Sequence, residues 1–215
     1  MSVAAWLRYR ALIATQRPRR YRELFRTVYA TKARRIVEIG TWNGVHARQM
    51  IATAAVHHPV HAVCYFGFDL FEALTDEALA REFSKRPPAQ AEVRALLERT
   101  RAQIRLFAGN TRDTLPAAAG ELTDIDVVFI DGGHAEATVA SDWGNVERIM
   151  GPGTVVLFDD YYVEPAPQLA GLGCQTLIDG LDRARFDVAF PGPVDLFPQS
   201  WGELRIRLAR VRRRG

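Results

Sequence analysis

Asp126-Val127-Val128-Phe129-Ile130-Asp131-Gly132-Gly133-His134 and Gly153-Thr154-Val155-Val156-Leu157-Phe158-Asp159-Asp160 decide how this chain folds. Each is a short run, apolar throughout and rich in β-branched residues, that stops on an aspartate. Continuous rather than alternating apolarity marks a strand buried on both faces, which belongs to a parallel sheet covered by helices. In open sheets of this kind ligands bind outside the carboxyl ends of the strands. Asp131, Asp159 and Asp160 therefore arrive at the ligand edge, with His134 beside them after a Gly-Gly turn.

Outward from these two strands the pattern alternates. Strands are expected at 35–39, 62–68 and 103–108, then at 126–130 and 154–158, with helices at about 43–56, after Gly109-Asn110-Thr111 and at 135–149. Such alternation builds βαβ units. Residues 168–183 read as a further helix, followed by Phe186-Asp187-Val188-Ala189-Phe190 and by a strictly alternating, half-exposed strand over 203–211. The expectation is an α/β fold with a mostly parallel seven-stranded sheet and an antiparallel C-terminal hairpin. Residues 1–32 form an N-terminal helical segment, helices 3–15 and 20–31 around Pro18, and 33–215 form the main domain. The stretch 70–101 is too long for a plain connection. It reads as two polar helices split by Pro87-Pro88, a lid near the ligand edge.

A chain of 215 residues with 48% apolar and 25% charged residues is one ordinary globular domain. No apolar stretch reaches the 18 residues a membrane span needs, and Met1 to Arg20 lacks the apolar region of a secretion signal. Two cysteines, Cys64 in an expected buried strand and Cys174, point to a reduced, cytoplasmic setting. The net charge is +3, carried almost wholly by arginine. Basic clusters at Arg17-Pro18-Arg19-Arg20, Lys32-Ala33-Arg34-Arg35 and Arg210-Val211-Arg212-Arg213-Arg214 sit at element ends, without interleaved aromatics. No nucleic-acid partner is expected from that arrangement; the N-terminal helices are the expected surface for any homo-oligomer.

The segment Ile36-Val37-Glu38-Ile39-Gly40-Thr41-Trp42-Asn43-Gly44 is a strand, an acid and two glycines that open a helix. Gly40 permits a tight turn and Gly44 a close approach to the helix start, whose free N–H groups favour an anionic group. The three-glycine dinucleotide fingerprint is lacking. Asp69, at the end of the second strand, is placed to accept hydrogen bonds from both hydroxyls of a ribose. Glu38 and Asp69 could each serve instead as a cap.

Taken in order, Glu38-x-Gly40-x-x-x-Gly44, Asp69, Gly109-Asn110-Thr111 and Asp131 resemble class I S-adenosylmethionine-dependent methyltransferases of Rossmann-like fold. Phe129-Ile130-Asp131-Gly132-Gly133-His134 and Phe158-Asp159-Asp160-Tyr161 are similar to the bacterial O-methyltransferase branch related to catechol-type and macrolide-sugar enzymes. The resemblance implies a donor site at Glu38, Gly40, Thr41, Trp42, Gly44, Asp69, Leu70, Gly109, Asn110, Thr111 and Asp131. In it Glu38 and Gly40 lie near the amino-acid moiety, Asp69 holds the ribose, and Asn110 and Thr111 flank the adenine. Catechol-type relatives carry an asparagine and a lysine where this chain has Asp160 and His134; the macrolide-sugar relatives tolerate both changes.

At the reacting end, Asp131, Asp159 and Asp160 supply three hard oxygens for Mg²⁺ or Mn²⁺. The ion would polarise a small-molecule hydroxyl while His134, with an unperturbed pKa of roughly 6.5, takes its proton. Adjacent Asp159 and Asp160 can both ligate only if the chain turns there; otherwise one of them caps the next segment. The rival role for His134 is to cap or pack at the start of the helix at 135–149. Tyr161 and Tyr162 are the expected lining of the acceptor pocket. The alternatives are a metal-independent N-methyltransferase and a non-catalytic nucleoside-binding module of the same fold.

Overall fold

Five apolar runs become parallel strands: β1 (Arg35–Ile39), β2 (Cys64–Asp69), β3 (Gln103–Ala108), β4 (Val127–Ile130) and the first half of β5 (Val155–Tyr162). The structure, a computed structural model, describes residues 3–82 and 85–215; residues 1 and 2 of the N-terminal segment and 83 and 84 of the expected lid lie outside these. The strands run in the order β3-β2-β1-β4-β5. The chain thus moves outward from β1 to β3 and then returns to the other side of β1 for β4. Crossovers diverge between β1 and β4, which leaves a crevice at the carboxyl ends of those strands.

Ile39 pairs with Ile130, so Gly40 and Asp131 are the first residues past the sheet on the diverging strands. They meet backbone to backbone. Gly40 has φ +90°, and a Cβ there would lie 1.9 Å from the Asp131 carbonyl oxygen. Only glycine fits this turn, on conformational and steric grounds alike.

Helices cover both faces. On one, α1 (Val3–Thr15), α2 (Tyr21–Ala30), α3 (Val45–Ala54) and α5 (Gln90–Glu98) pack against Ile36, Tyr65 and Phe129. On the other, α6 (Thr111–Ala118), α7 (Glu136–Ile149) and α8 (Gln175–Gly180) enclose Val128, Phe158 and Trp143. The N-terminal segment is built into the first core: Leu24, Phe25 and Val28 of α2 are fully buried in it. The expected lid divides in two. Its second half, α5, is a core layer, because Val93 and Leu97 are buried against the start of α3. Its first half carries the short α4 (Asp76–Arg81).

The sheet has eight strands where seven were expected. β6 (Phe186–Ala189) and the twelve-residue β8 (Gly202–Arg213) are antiparallel, and β8 lies between β5 and β6. The additional strand, β7 (Asp195–Gln199), pairs with the first part of β8. Pro198 and the polar residues around it disguise β7, and they are tolerated because it is an edge strand. The helix expected over 168–183 shrinks to α8, since Gly171 (φ +76°) and Gly173 (φ +87°) break the segment before it.

Gly40→Ala is expected to lower stability by more than the roughly 1–3 kcal/mol that a left-handed non-glycine residue costs, because the clash with Asp131 adds to it. A urea titration against Gly120→Ala, where an added Cβ meets nothing within 4 Å, measures the difference.

Candidate active site

A cavity of about 1160 Å³ opens over the carboxyl ends of the parallel strands. Single-ligand pockets run to roughly 300–1,000 Å³, so this one has room for two partners. Of the residues expected at a donor site, Gly40, Thr41, Trp42, Asp69, Leu70, Gly109, Asn110, Thr111 and Asp131 line it. Glu38 and Gly44 do not. Gly44 serves packing: a Cβ there would approach Val93 of α5 to 3.1 Å. Glu38 lies fully buried beneath the turn after β1, where Tyr65 donates its hydroxyl to it and shares a 3.2 Å hydrogen bond with Thr41. Burial pushes the Glu38 carboxyl up to about 8. It supports the turn from below.

Asp69 ends β2 and accepts the backbone N–H of Trp42 at 2.7 Å and of Phe71 at 3.2 Å. The Asn110 side chain caps α6 by accepting the Arg112 N–H at 2.9 Å. Thr111 donates its hydroxyl to Asp142 at 2.5 Å. Asp142 is buried on α7 and lines the cavity, and burial pushes its carboxyl up to about 7. It falls on the buried stripe Val139, Trp143 and Val146, so an acid at a core-facing helical position was the signal that could have revealed it.

At the end of β5 the chain does turn. Asp160 takes φ +55° and the register with β8 shifts between Phe158 and Tyr161. Both carboxylates consequently reach the cavity, but they find different partners. Asp160 Oδ2 lies 3.0 Å from His134 Nε2. The glycine loop before α8 holds both residues in place: the Gly173 N–H donates to the His134 carbonyl at 2.7 Å and the Cys174 N–H to that of Asp160 at 3.1 Å. Burial alone would lower the His134 pKa, but the Asp160 charge and hydrogen bond outweigh it and raise the group above 6.5.

Asp159 faces the other way. The Arg20 fork donates to both of its oxygens, Nε to Oδ1 at 2.6 Å and Nη2 to Oδ2 at 2.8 Å, and the Tyr21 hydroxyl donates to Oδ2 at 2.6 Å. Burial pushes its carboxyl upward, yet Arg20 and Tyr21 overcome this and hold it below the usual range. Asp131 goes in the opposite direction: burial first, then the charges of Asp159 and Asp160, push it well up.

The expected metal site is corrected accordingly. Asp159 is withdrawn from the expected set, because Arg20 and Tyr21 occupy both of its oxygens. The potential ligand atoms within 4.8 Å of one another belong to Asp131, His134 and Asp160. Tyr161 and Tyr162 are buried away from the cavity, Tyr161 donating its hydroxyl to Asp179 at 2.9 Å. Tyr21 and Phe197 supply aromatic lining instead, with His46 beside them. His46 Nδ1 is 3.8 Å from Asp131 Oδ2, and burial lowers its pKa to about 4, so it stands neutral.

The first half of the expected lid closes one side of the cavity through Leu70, Ala73, Leu74, Ala78, Arg81, Glu82 and Lys85. Glu82, just after α4, is buried and accepts the Ala135 N–H at 3.0 Å and the Thr138 hydroxyl at 2.9 Å. It latches this cover to the start of α7. Across the opening, Trp42 is 41% exposed and Lys85 Nζ sits 5.1 Å over its ring.

A family model described as a methyltransferase domain matches residues 37–161. The daunorubicin resistance ATP-binding protein DrrA3 of Streptomyces coeruleorubidus is 35% identical over 95 residues, 38% of this chain. This chain spans only 29% of that protein's length. Among solved structures, the O-methyltransferase TomG of Streptomyces achromogenes, involved in tomaymycin synthesis and bound to S-adenosylmethionine, is similar. The match covers 100% of this chain and 91% of TomG at 16% identity, with a TM-score of 0.57. The TDP-rhamnose 3'-O-methyltransferase CalS11, of calicheamicin biosynthesis, matches over 95% of this chain and 93% of its own at 17% identity, with a TM-score of 0.55. At such identities the likeness is one of fold.

Glu82→Ala removes the acceptor of two hydrogen bonds that tie the cover to α7, each worth roughly 1.5–3 kcal/mol when the acceptor is charged. Hydrogen exchange of residues 76–82 and 133–138 is expected to speed up by at least tenfold in this variant, with the strands β1 and β4 unchanged.

Proposed function

We propose that this chain, which belongs to the class I S-adenosylmethionine-dependent methyltransferases, moves the sulfonium methyl group onto a hydroxyl of a small molecule. The observation that carries this reading is the His134–Asp160 pair, 3.0 Å apart on the same cavity as Asp69. Methyl transfer is an in-line displacement, so positioning supplies much of the acceleration. A hydroxyl, unlike a neutral amine, also needs a base to become a good nucleophile. A site that furnishes a base therefore favours O- over N-methylation.

In this reading Asp69 accepts hydrogen bonds from the donor ribose, and Asn110 and Thr111 flank the adenine. The acceptor lies on the β5 side of the cavity, between Asp131, His134 and the Tyr21 and Phe197 rings. Neutral His134 presents one ring-nitrogen lone pair. The acceptor oxygen forms its bond to the methyl carbon as the carbon–sulfur bond breaks, and the hydroxyl proton passes to the imidazole. The imidazolium then pairs with Asp160, whose Oδ2 lies 3.0 Å from Nε2. Asp160 thereby stabilises the protonated product of the base. The three-carboxylate metal site does not fit these side chains, and no step passes through a divalent ion. A sugar or aromatic secondary metabolite is the acceptor class we favour, since TomG and CalS11 are both named for secondary-metabolite synthesis.

Labelled donor incubated with a panel of hydroxylated and amine-bearing acceptors tests the proposal; label found only on nitrogen overturns it. Asp69→Ala is expected to weaken donor binding by about 1.5–3 kcal/mol in calorimetry, the range for hydrogen bonds to a charged group. His134→Ala is expected to lower turnover by about 10²–10⁴-fold, the usual share of a general base.

The pH dependence follows from the sign of the His134 shift. The active form is neutral and the pKa is raised above 6.5, so kcat/KM should climb with pH through an inflection above 6.5. Asp160→Asn removes the charge that raises it and should move that inflection to lower pH. A profile without an inflection in this region would place the base elsewhere.

A further inference from the structure

The carboxylate cluster at the end of β5 already contains a cation. Arg20 leaves only 6% of its side chain accessible and its partner Asp159 only 2%. Its guanidinium is not a surface group that happened to fall inward, because the backbone fixes it from behind. The N–H groups of Arg19 and Arg20 donate to the two oxygens of Asp195 on β7 at 2.9 and 2.8 Å, and Arg20 Nη1 lies 3.5 Å from the same carboxylate. Tyr21 and Phe197 flank it, 4.5 and 5.7 Å from the guanidinium carbon. Swinging Arg20 out would strand the buried Asp159 carboxylate.

We infer that Arg20 is the resident cation of this site, a positioning residue that neutralises Asp159 where a divalent ion would otherwise bind, so that the enzyme works without added metal. An arginine stays charged at any pH at which proteins fold. A divalent ion bound to Asp159 would sit about 2.0–2.6 Å from a carboxylate oxygen, on oxygens that the guanidinium fork and the Tyr21 hydroxyl already occupy. The two cations exclude each other. What remains, Asp131, His134 and Asp160, has its histidine already paired to one of its two acids. The N-terminal segment consequently completes the site rather than decorating it. The inference rests on the proposed function only for its activity measurement; its binding measurement stands apart.

The full-length chain, stripped of metal, is titrated with Mn²⁺ and followed by electron paramagnetic resonance and by thermal midpoint. The wild-type protein should show no saturable binding and no midpoint shift, and should turn over equally in EDTA and in Mg²⁺. Arg20→Ala frees Asp159 to join Asp131 and Asp160. That variant should now bind Mn²⁺, with a midpoint rise of about 5–10 °C at a hundredfold excess over its dissociation constant. Arg20→Lys retains the charge and should stay silent. Stoichiometric Mn²⁺ binding by the wild type, or turnover lost in EDTA and restored by Mg²⁺, overturns the inference. So does a folded Arg20→Ala that ignores Mn²⁺. If Arg20→Ala does not fold, the wild-type titration and Arg20→Lys decide. A chain that methylates no hydroxyl under any condition refutes the proposed function and leaves the metal titration to decide this inference.

Discussion

Arg20 and Asp159 are two opposite charges almost wholly removed from water. Desolvation of each costs several kcal/mol, and their attraction offsets it only when geometry is good and the remaining polar atoms are bonded. Those conditions draw in distant parts of the chain. Arg20 comes from the start of α2, Asp159 from the end of β5, and Asp195, which holds the turn before α2, from β7. The pair therefore fastens the N-terminal helices and the C-terminal hairpin to the middle of the sheet. Breaking such a pair on one side strands a buried charge, at a cost of roughly 3–5 kcal/mol.

The cavity inherits its division from the sheet. Between β1 and β4 the crossovers separate, and the glycine turn at Gly40 lets the two strand ends touch without filling the gap. On the β2 and β3 side, short polar groups at strand ends and the cap of α6 face the cavity, in keeping with a nucleoside. On the β5 side, titratable groups are matched in pairs: Asp159 with Arg20, Asp160 with His134. Asp131 stands between the two sides and is the carboxyl whose ionisation its neighbours oppose. The cover from Leu70 to Glu82 is fastened to the reacting side through Ala135 and Thr138. The cover and the segment that follows His134 are thus tied together through Glu82.

Several readings of single residues were reassigned, all for the same kind of reason. Glu38 and Gly44 have the chemistry of ligand contacts, and they sit within a few residues of the cavity. Glu38 instead bonds Tyr65 under the floor, and Gly44 makes room for α5. Tyr161 and Tyr162 follow the acids directly, but the bulge at Asp160 turns them into the core. Conversely, Arg20 lay in one of several basic clusters at element ends, and Asp142 within an ordinary helix. The cavity positions of Gly40, Asp69 and Asp131 were legible because a residue at the end of a buried strand has only one edge to face.

What the sequence determined by itself is the parallel core and the edge at which it works. Strands buried on both faces must be apolar throughout, so β1, β2, β4 and β5 announce themselves, and the first polar residue after each marks the ligand edge. The partners of those polar residues were another matter. Whether an aspartate meets a metal, a histidine or an arginine depends on side chains brought in from 26 to 139 positions away. Local pattern carries no information about such distances. Charge pairing in a low-dielectric interior is set by which groups the whole chain has buried together, and that only the tertiary structure decided.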